Sequence, residues 1–191
     1  MILVFHKPYG VLSQYKPVAG KRGLLEFPAL SGGKAVGRLD EDSEGLLMIS
    51  DQAWVQTLLT RPGQIEKTYR AQVERIPDSV ALQRLRQGVS CGDFTSAPAR
   101  ARLLPDLQMA EREPPIRQRL RVPTSWLELQ LREGKNRQVR RMTAAVGHPT
   151  LRLIRVGIGP IQLGELAPGQ CRPLTRAERD WLNQAGKQPA K

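Results

Sequence analysis

Little in this 191-residue chain points to redox, metal or membrane chemistry. Cysteine occurs twice, at Cys91 and Cys171, far apart and without a second thiol at ligand spacing, which removes both a disulfide framework and a zinc site. Histidine is as scarce: His6 and His148 have no cysteine or acidic partner at metal-ligand spacing and read as packing or loop residues. Aromatic residues make up only 5%, too few for a single-strand platform of repeated stacking rings. The longest apolar runs, residues 1–5 and 46–49, fall far short of the ~20 residues of a membrane helix. The amino end lacks a basic n-region and a small-residue cleavage site, so a cytoplasmic protein is expected. Glycine-rich stretches such as residues 157–159 contain neither GxGxxG nor a Walker lysine, and Ser43 and Ser50 have no nucleophile elbow around them. No metal and no cofactor is expected.

What the chain does have is positive charge. Thirty basic residues against 18 acidic ones give +12, and 22 of the 30 are arginine, whose planar fork suits phosphates and stacks on bases. The excess concentrates between Arg112 and Arg155, where 11 basic residues face three glutamates. That concentration favours a binding surface over general solubility. The charge is spread over strand, loop and helix patterns rather than along one amphipathic helix, so nucleic acid is expected as partner and a membrane surface is not.

The length suits one domain or two small lobes. Residues 1–5 read as a buried strand ending at the turn Lys7-Pro8-Tyr9-Gly10, and residues 16–34 as loop with a short apolar turn at 24–27. Residues 35–39 and 46–50 are candidate strands flanking an acidic stretch, after which Ser50 or Asp51 is placed to cap a helix carrying Trp54, Val55, Leu58 and Leu59. Residues 67–74 alternate, with Lys67, Tyr69, Ala71 and Val73 on one face. Asp78 caps a helix bearing Val80, Leu82 and Leu85 that closes at Gly88, and residues 97–104 form a strand with Arg100 and Arg102 on the same side. From 105 to 123 no period holds and proline recurs, which predicts a long basic loop carrying Arg112, Arg117, Arg119 and Arg121; such loops are uncommon unless they bind something. A strand with Leu127, Leu129 and Leu131 follows. Gly134 then opens a helical pattern with Arg137, Arg140 and Arg141 facing away from Val139, Met142 and Val146. Residues 151–156 are a further strand, and Thr175 with Glu178 forms a capping box for a last helix, beyond which residues 186–191 should fray.

The acidic cluster at residues 40–44 is the densest negative patch in a basic chain. Its spacing partly fits a calcium loop, but such a loop needs a helix on both sides and residues 31–37 do not form one. It also fits a solvated or capping acidic turn. A catalytic reading keeps Asp40, next to Arg38, and lets the other carboxylates face solvent. By elimination, a carboxylate, a phenol and several arginines are the available reactive groups.

Four segments, in order, carry a resemblance: Lys7-Pro8-Tyr9-Gly10; Gly37-Arg38-Leu39-Asp40 followed by residues 43–47 (SEGLL); Lys67-Thr68-Tyr69; and residues 133–142 (EGKNRQVRRM). They resemble the ordered motifs of RNA pseudouridine synthases, over nearly the whole chain. Within that family the similarity is to the branch acting on ribosomal RNA, and residues 113–117, 123–126 and 148–155 resemble its large-subunit members. The resemblance implies an α+β fold with a largely antiparallel sheet in two subdomains and a basic catalytic cleft, here a single catalytic domain over residues 1–185. Many relatives begin with a small S4 RNA-binding domain, whereas this chain starts at the first catalytic-domain strand. The resemblance further implies Asp40 as the catalytic carboxylate, Arg140 as its ionic partner and Tyr69 packed on the target base. Arg38 would help hold the flipped-out state and Leu153 would line the pocket. Lys67, Arg117, Arg119, Arg121, Lys135, Arg137 and Arg141 are the expected RNA contacts. The expected partner is 23S ribosomal RNA, with no DNA and no membrane, and the protein is expected to be a monomer.

Those roles make physical sense. Isomerising uridine breaks the N1–C1′ bond and joins C5 to C1′, with no redox change. A carboxylate can attack C1′ or take the C2′ proton; either requires an ionised Asp40, which a guanidinium favours in a partly dry pocket. Unstacking the base costs a few kcal/mol, offset by an arginine filling the vacancy and a tyrosine beneath the uracil. A non-catalytic RNA-binding or ribosome-assembly protein would share the basic surface, but has no use for a carboxylate amid cations that face phosphates. A DNA-binding regulator fits less well, because residues 137–141 are not preceded by a helix and tight turn.

Overall fold

The structure is a computed structural model that describes residues 1–117, 119 and 121–187. Its elements run β1 (Ile2–Lys7), β2 (Val11–Leu12), β3 (Arg22–Gly23), β4 (Lys34–Val36), β5 (Glu44–Ser50), α1 (Ala53–Thr60), β6 (Lys67–Glu74), α2 (Ser79–Gln87), β7 (Arg100–Leu103), β8 (Thr124–Leu131), α3 (Gln138–Ala145), β9 (Thr150–Ile158), β10 (Ile161–Gln162), β11 (Cys171–Pro173) and α4 (Arg176–Lys187). They make two compact units: Met1–Ile65 together with Arg155–Lys191, and Glu66–Ile154.

In the first unit β1 lies between β11 and β5, antiparallel to both, with Leu3 opposite Ile49 and Phe5 opposite Leu47; β4 pairs antiparallel with the other side of β5. The two short apolar runs of the sequence thus pair with each other. Every residue of β5 is buried, which explains why it reads as an unbroken apolar run rather than an alternation. The expected turn at 24–27 is a 3-10 turn, Leu24–Glu26, whose Leu24 is fully buried, and Phe27 meets Phe5 edge-on at 4.8 Å. Helix α4 opens on the expected capping box: Thr175 Oγ1 accepts from the Glu178 N–H at 3.2 Å and the Glu178 carboxylate accepts from the Thr175 N–H at 2.8 Å. Burial alone would raise the Glu178 carboxyl, but the Arg172 fork and the Thr175 N–H outweigh it and hold it below its ordinary value.

Two expectations for this unit are corrected. β4 stops at Val36 rather than 39, because Gly37 turns the chain at φ +64°, a left-handed conformation that β-strands do not contain. The cap of α1 is Gln52, without a side-chain hydrogen bond. Asp51 instead takes the Met1 ammonium at 2.6 Å, and Ser50 Oγ accepts from the Gln52 N–H. Helix α4 runs through Lys187, and residues 188–191 of the tail expected to fray lie outside the described residues.

In the second unit β8 lies between β6 and β7, antiparallel to each. The alternation expected for β6 is present from Lys67 to Val73, while Glu74, expected on the outer face, is also buried. Lys67, Tyr69, Ala71 and Val73 are buried on one face, while Thr68, Arg70 and Gln72 are half-buried on the other. Asp78 caps α2 by accepting from the Ala81 N–H at 2.8 Å. The helix buries Ala81 and Leu85, and Val80, expected inward, is 62% exposed. The described residues between 105 and 123 form the expected long loop. Arg70 reaches Met109 Sδ at 3.7 Å, which ties the loop to the half-buried face of β6, and Arg152 of β9 donates to the Ala110 carbonyl at 2.7 Å. Helix α3 begins at Gln138 rather than at 134, because residues 133–137 are a hydrogen-bonded turn ending in Arg137 at φ +49°. With strands paired mainly antiparallel and four helices among the described residues, the fold is the mixed α+β class expected.

Candidate active site

The loop between β4 and β5 carries Asp40, and its backbone is tied down residue by residue. Arg155, 2% exposed, donates from its guanidinium to the Gly37 carbonyl at 2.8 Å and from Nε to the Leu46 carbonyl at 2.8 Å. Ser13 Oγ donates to the Leu39 carbonyl at 2.8 Å and accepts from the Leu39 N–H at 3.1 Å. The Ser43 N–H closes a turn on the Asp40 carbonyl at 3.1 Å, and the Gly10 N–H holds the Glu41 carbonyl at 2.9 Å. Asp40 is thus a half-exposed carboxylate on a loop whose main chain has few degrees of freedom left. Charge-assisted and buried hydrogen bonds of this kind are the ones that fix geometry.

Beneath the loop sits Lys7. It has no exposed surface, and its ammonium donates to the carbonyls of Val11 at 2.6 Å, Pro8 at 2.9 Å and Glu41 at 3.5 Å. Burial pulls its pKa down from 10.5 to about 8, against the raising influence of Glu44, Asp42, Asp40 and Glu41. The acidic cluster therefore has a structural counterpart. Glu44, expected to face solvent with the other carboxylates, is 2% exposed, and the cluster surrounds a buried cation. Arg38 is exposed, immediately before Leu39, whose backbone Ser13 holds.

The remaining expected residues belong to the second unit. Tyr69 and Lys67 are buried on the same face of β6, and Leu153 is buried in β9. Arg140 is half-buried in α3 and donates to the Thr150 carbonyl at 3.3 Å. Glu133 and Gln138 build the turn before α3: the Gln138 amide donates to the Glu133 carboxylate and accepts from the Lys135 N–H at 3.0 Å. Burial opposes ionisation of Glu133, but the Ala97 N–H, the Gln138 amide and the Lys135 ammonium prevail and hold its carboxyl below the ordinary range. Arg141 and Lys135, both expected at the RNA, are engaged within the chain. Arg141 bonds the Cys91 carbonyl and the Asp93 carboxylate, and both cations lie over the Phe94 ring, at 4.5 and 4.4 Å. Arg137 stands exposed at the start of α3. In the loop, Arg117 and Arg121 are exposed, and Arg119 lies 3.6 Å from Glu74. Among the described residues, no group of His, Cys, Asp or Glu is arranged to hold a metal ion.

Sequence reasoning missed Lys7, Ser13 and Arg155 as supports of the Asp40 loop. Two of them had a signal: Lys7 closes an apolar strand, and Arg155 sits inside the apolar run of β9, places where a charge persists only with buried partners.

Comparison with known proteins decides what this arrangement belongs to. A model of the family described as RNA pseudouridylate synthase matches residues 1–145, three quarters of the chain. This chain belongs to the RNA pseudouridylate synthase family. It is 52% identical over 172 residues to ribosomal large subunit pseudouridine synthase E of Xanthomonas axonopodis pv. citri, covering 88% of this chain and 90% of that one. It is 43% identical over 175 residues to the protein of the same name from Vibrio vulnificus, covering 91% and 75%. A crystal structure of a pseudouridylate synthase superposes with a TM-score of 0.76 at 24% identity, over 95% of this chain and 73% of the other, which supports the fold. The matched family segment contains Asp40, Tyr69 and Arg140, while Leu153 lies beyond it. Membership in a pseudouridylate synthase family favours the catalytic reading over that of a passive RNA binder. No helix among the described residues is long and apolar enough to cross a membrane.

Proposed function

We propose that this chain converts a specific uridine of 23S ribosomal RNA to pseudouridine, with Asp40 as the reacting carboxylate and without a cofactor. The observation that carries the reading is the Asp40 loop itself: a half-exposed carboxylate whose neighbours on both sides are pinned by Arg155, Ser13, Gly10 and Lys7, in a family defined by uridine isomerisation. Such pre-organisation is what a reaction at one ribose carbon demands. In the reaction the uracil leaves C1′, turns, and bonds through C5, so the proton lost from C5 is balanced by one gained at N1. Asp40 serves by attack on C1′ or by removal of the C2′ proton, and both routes need its ionised form. Arg140 supplies the guanidinium that favours that form, Tyr69 packs on the uracil, Leu153 lines the pocket, Lys67 contacts the RNA, and Arg38 supports the flipped-out state. Arg117, Arg119, Arg121 and Arg137 meet phosphates, with Lys135 and Arg141 on the same basic surface. The protein acts as a monomer in the cytoplasm, with RNA rather than DNA or a membrane as partner.

The test is Asp40→Asn on a 23S fragment carrying tritium at uracil C5. Release of tritium should cease while RNA affinity stays within a few fold of wild type. Continued release would remove Asp40 from the chemistry.

A further inference from the structure

The second unit carries a cavity that the isomerisation chemistry does not use. It has a volume of about 350 Å³ and opens where the end of α2 meets β7, lined by Arg86, Ala99, Arg100, Ala101, Arg102, Glu128 and Gln130. Strand β7 is the last in its sheet, so one edge of its backbone is unpaired by any strand among the described residues. The end of α2 ties into that edge: the Ala99 N–H reaches the Arg86 carbonyl at 3.2 Å and Arg86 Nε reaches the Ala101 carbonyl at 2.9 Å.

Register places these side chains on a definite face. Thr68, Gln130 and Arg100 are mutually opposite across β6, β8 and β7, as are Arg70, Glu128 and Arg102. All six therefore project from the face opposite to Tyr69 and Lys67. Met109 of the long loop is tied to that face at Arg70, whereas Arg100 and Arg102 remain exposed. Whatever occupies the cavity is thus a different group from one packed on Tyr69.

The lining has the chemistry of a nucleotide slot. Its lining combines Ala99, Ala101 and three arginines, whose stems are apolar and whose guanidinium planes stack on bases. Gln130 offers both a donor and an acceptor to a base edge; its Oε1 also receives Arg100 at 3.4 Å. Glu128, held by two donors of Arg102 at 2.8 and 2.7 Å, accepts from ring or amino N–H groups and repels a bare phosphate. Three guanidinium groups against one carboxylate leave the rim positive, suited to the phosphates on either side of the base. The volume lies in the range of small-ligand pockets, ~300–1,000 Å³, which admits one nucleotide and no duplex.

We propose that this cavity binds a single unpaired nucleotide of the RNA substrate, distinct from the uridine that reacts, and so contributes to the choice of site. The inference rests on the reading that the chain acts on RNA.

The experiment uses Arg100→Gln and Ala99→Phe in the full chain, with folding checked by circular dichroism, and a 23S fragment on which the wild-type protein turns over. The loss of one stacked base weakens RNA binding about tenfold. That loss should appear in KM rather than kcat for both variants, and the salt dependence of binding should be unchanged in Ala99→Phe, which alters no charge. Ultraviolet cross-linking of the wild-type complex should modify the peptide containing residues 99–102. Wild-type affinity in both variants overturns the proposal. So does a loss confined to Arg100→Gln that disappears at high salt, which would make Arg100 an ordinary phosphate contact. If Ala99→Phe does not fold, the Arg100→Gln affinity and the cross-linked peptide decide. A wild-type protein that binds the fragment without isomerising it would refute the catalytic reading instead, and the binding and cross-linking results would still judge the cavity.

Discussion

Ser13→Ala isolates the contribution of the Asp40 loop's tethering, because it removes one oxygen from a buried site and leaves the proposed reacting groups in place. Ser13 is 7% exposed, and its hydroxyl serves Leu39 twice, donating to the carbonyl at 2.8 Å and accepting from the N–H at 3.1 Å. Alanine leaves both groups without that partner in a region where water has little access. A buried polar group so stranded costs ~1–3 kcal/mol, so the pair together costs about 2–6 kcal/mol. For a chain of this length that lowers the melting temperature by roughly 10 °C. The catalytic consequence follows from adjacency. Leu39 immediately precedes Asp40, and a misplacement of ~1 Å at a reacting group costs about 100-fold in rate. The single-turnover rate on saturating 23S fragment, measured well below the variant's melting temperature, should therefore fall about 10- to 100-fold. RNA affinity should stay within twofold of wild type. A variant with wild-type melting temperature and wild-type rate would refute the argument that Ser13 positions the loop.

Lys7 makes the stability of the protein depend on alkaline pH. Its pKa is lower folded, at about 8, than unfolded, at 10.5, so between these values the unfolded chain binds more protons and stability from this group rises with pH, reaching full size above 10.5 and being lost as pH falls through 8. The unfolding free energy of wild type relative to Lys7→Met should accordingly increase by about 3 kcal/mol across that interval; a flat difference in urea titrations would contradict a buried, perturbed ammonium. Arg140→Ala should lower the single-turnover rate at saturating RNA by roughly 100-fold, the order seen when one preorganised charge-stabilising donor is lost. A variant impaired only in binding, with a wild-type saturated rate, would make Arg140 another phosphate contact.

The sequence by itself determined the family, the places of the longer strands and much of their facing. Alternation at 67–73 and the Asp78 and Thr175 caps are local features, written in short-range spacing and turn chemistry, and the structure has them where the spacing places them. The proposal of Asp40 as the reacting carboxylate also comes from the sequence, because Asp40 closes the second of four ordered motifs. Tertiary structure alone decided what holds that carboxylate's loop. Ser13 reaches Leu39 from 26 positions away and Arg155 reaches Gly37 from 118, separations over which no sequence period carries information. The same limit misdirected the helix start after Gly134, since a turn built on Glu133 and Gln138 competes locally with helix and wins through its contact to Ala97. It also hid the meaning of the acidic cluster. Glu44 reads as a solvated charge in one dimension, and its burial makes sense only once β1 pairs with β5 and brings the Lys7 ammonium among the carboxylates, where burial of one charge is tolerated because opposite charges surround it.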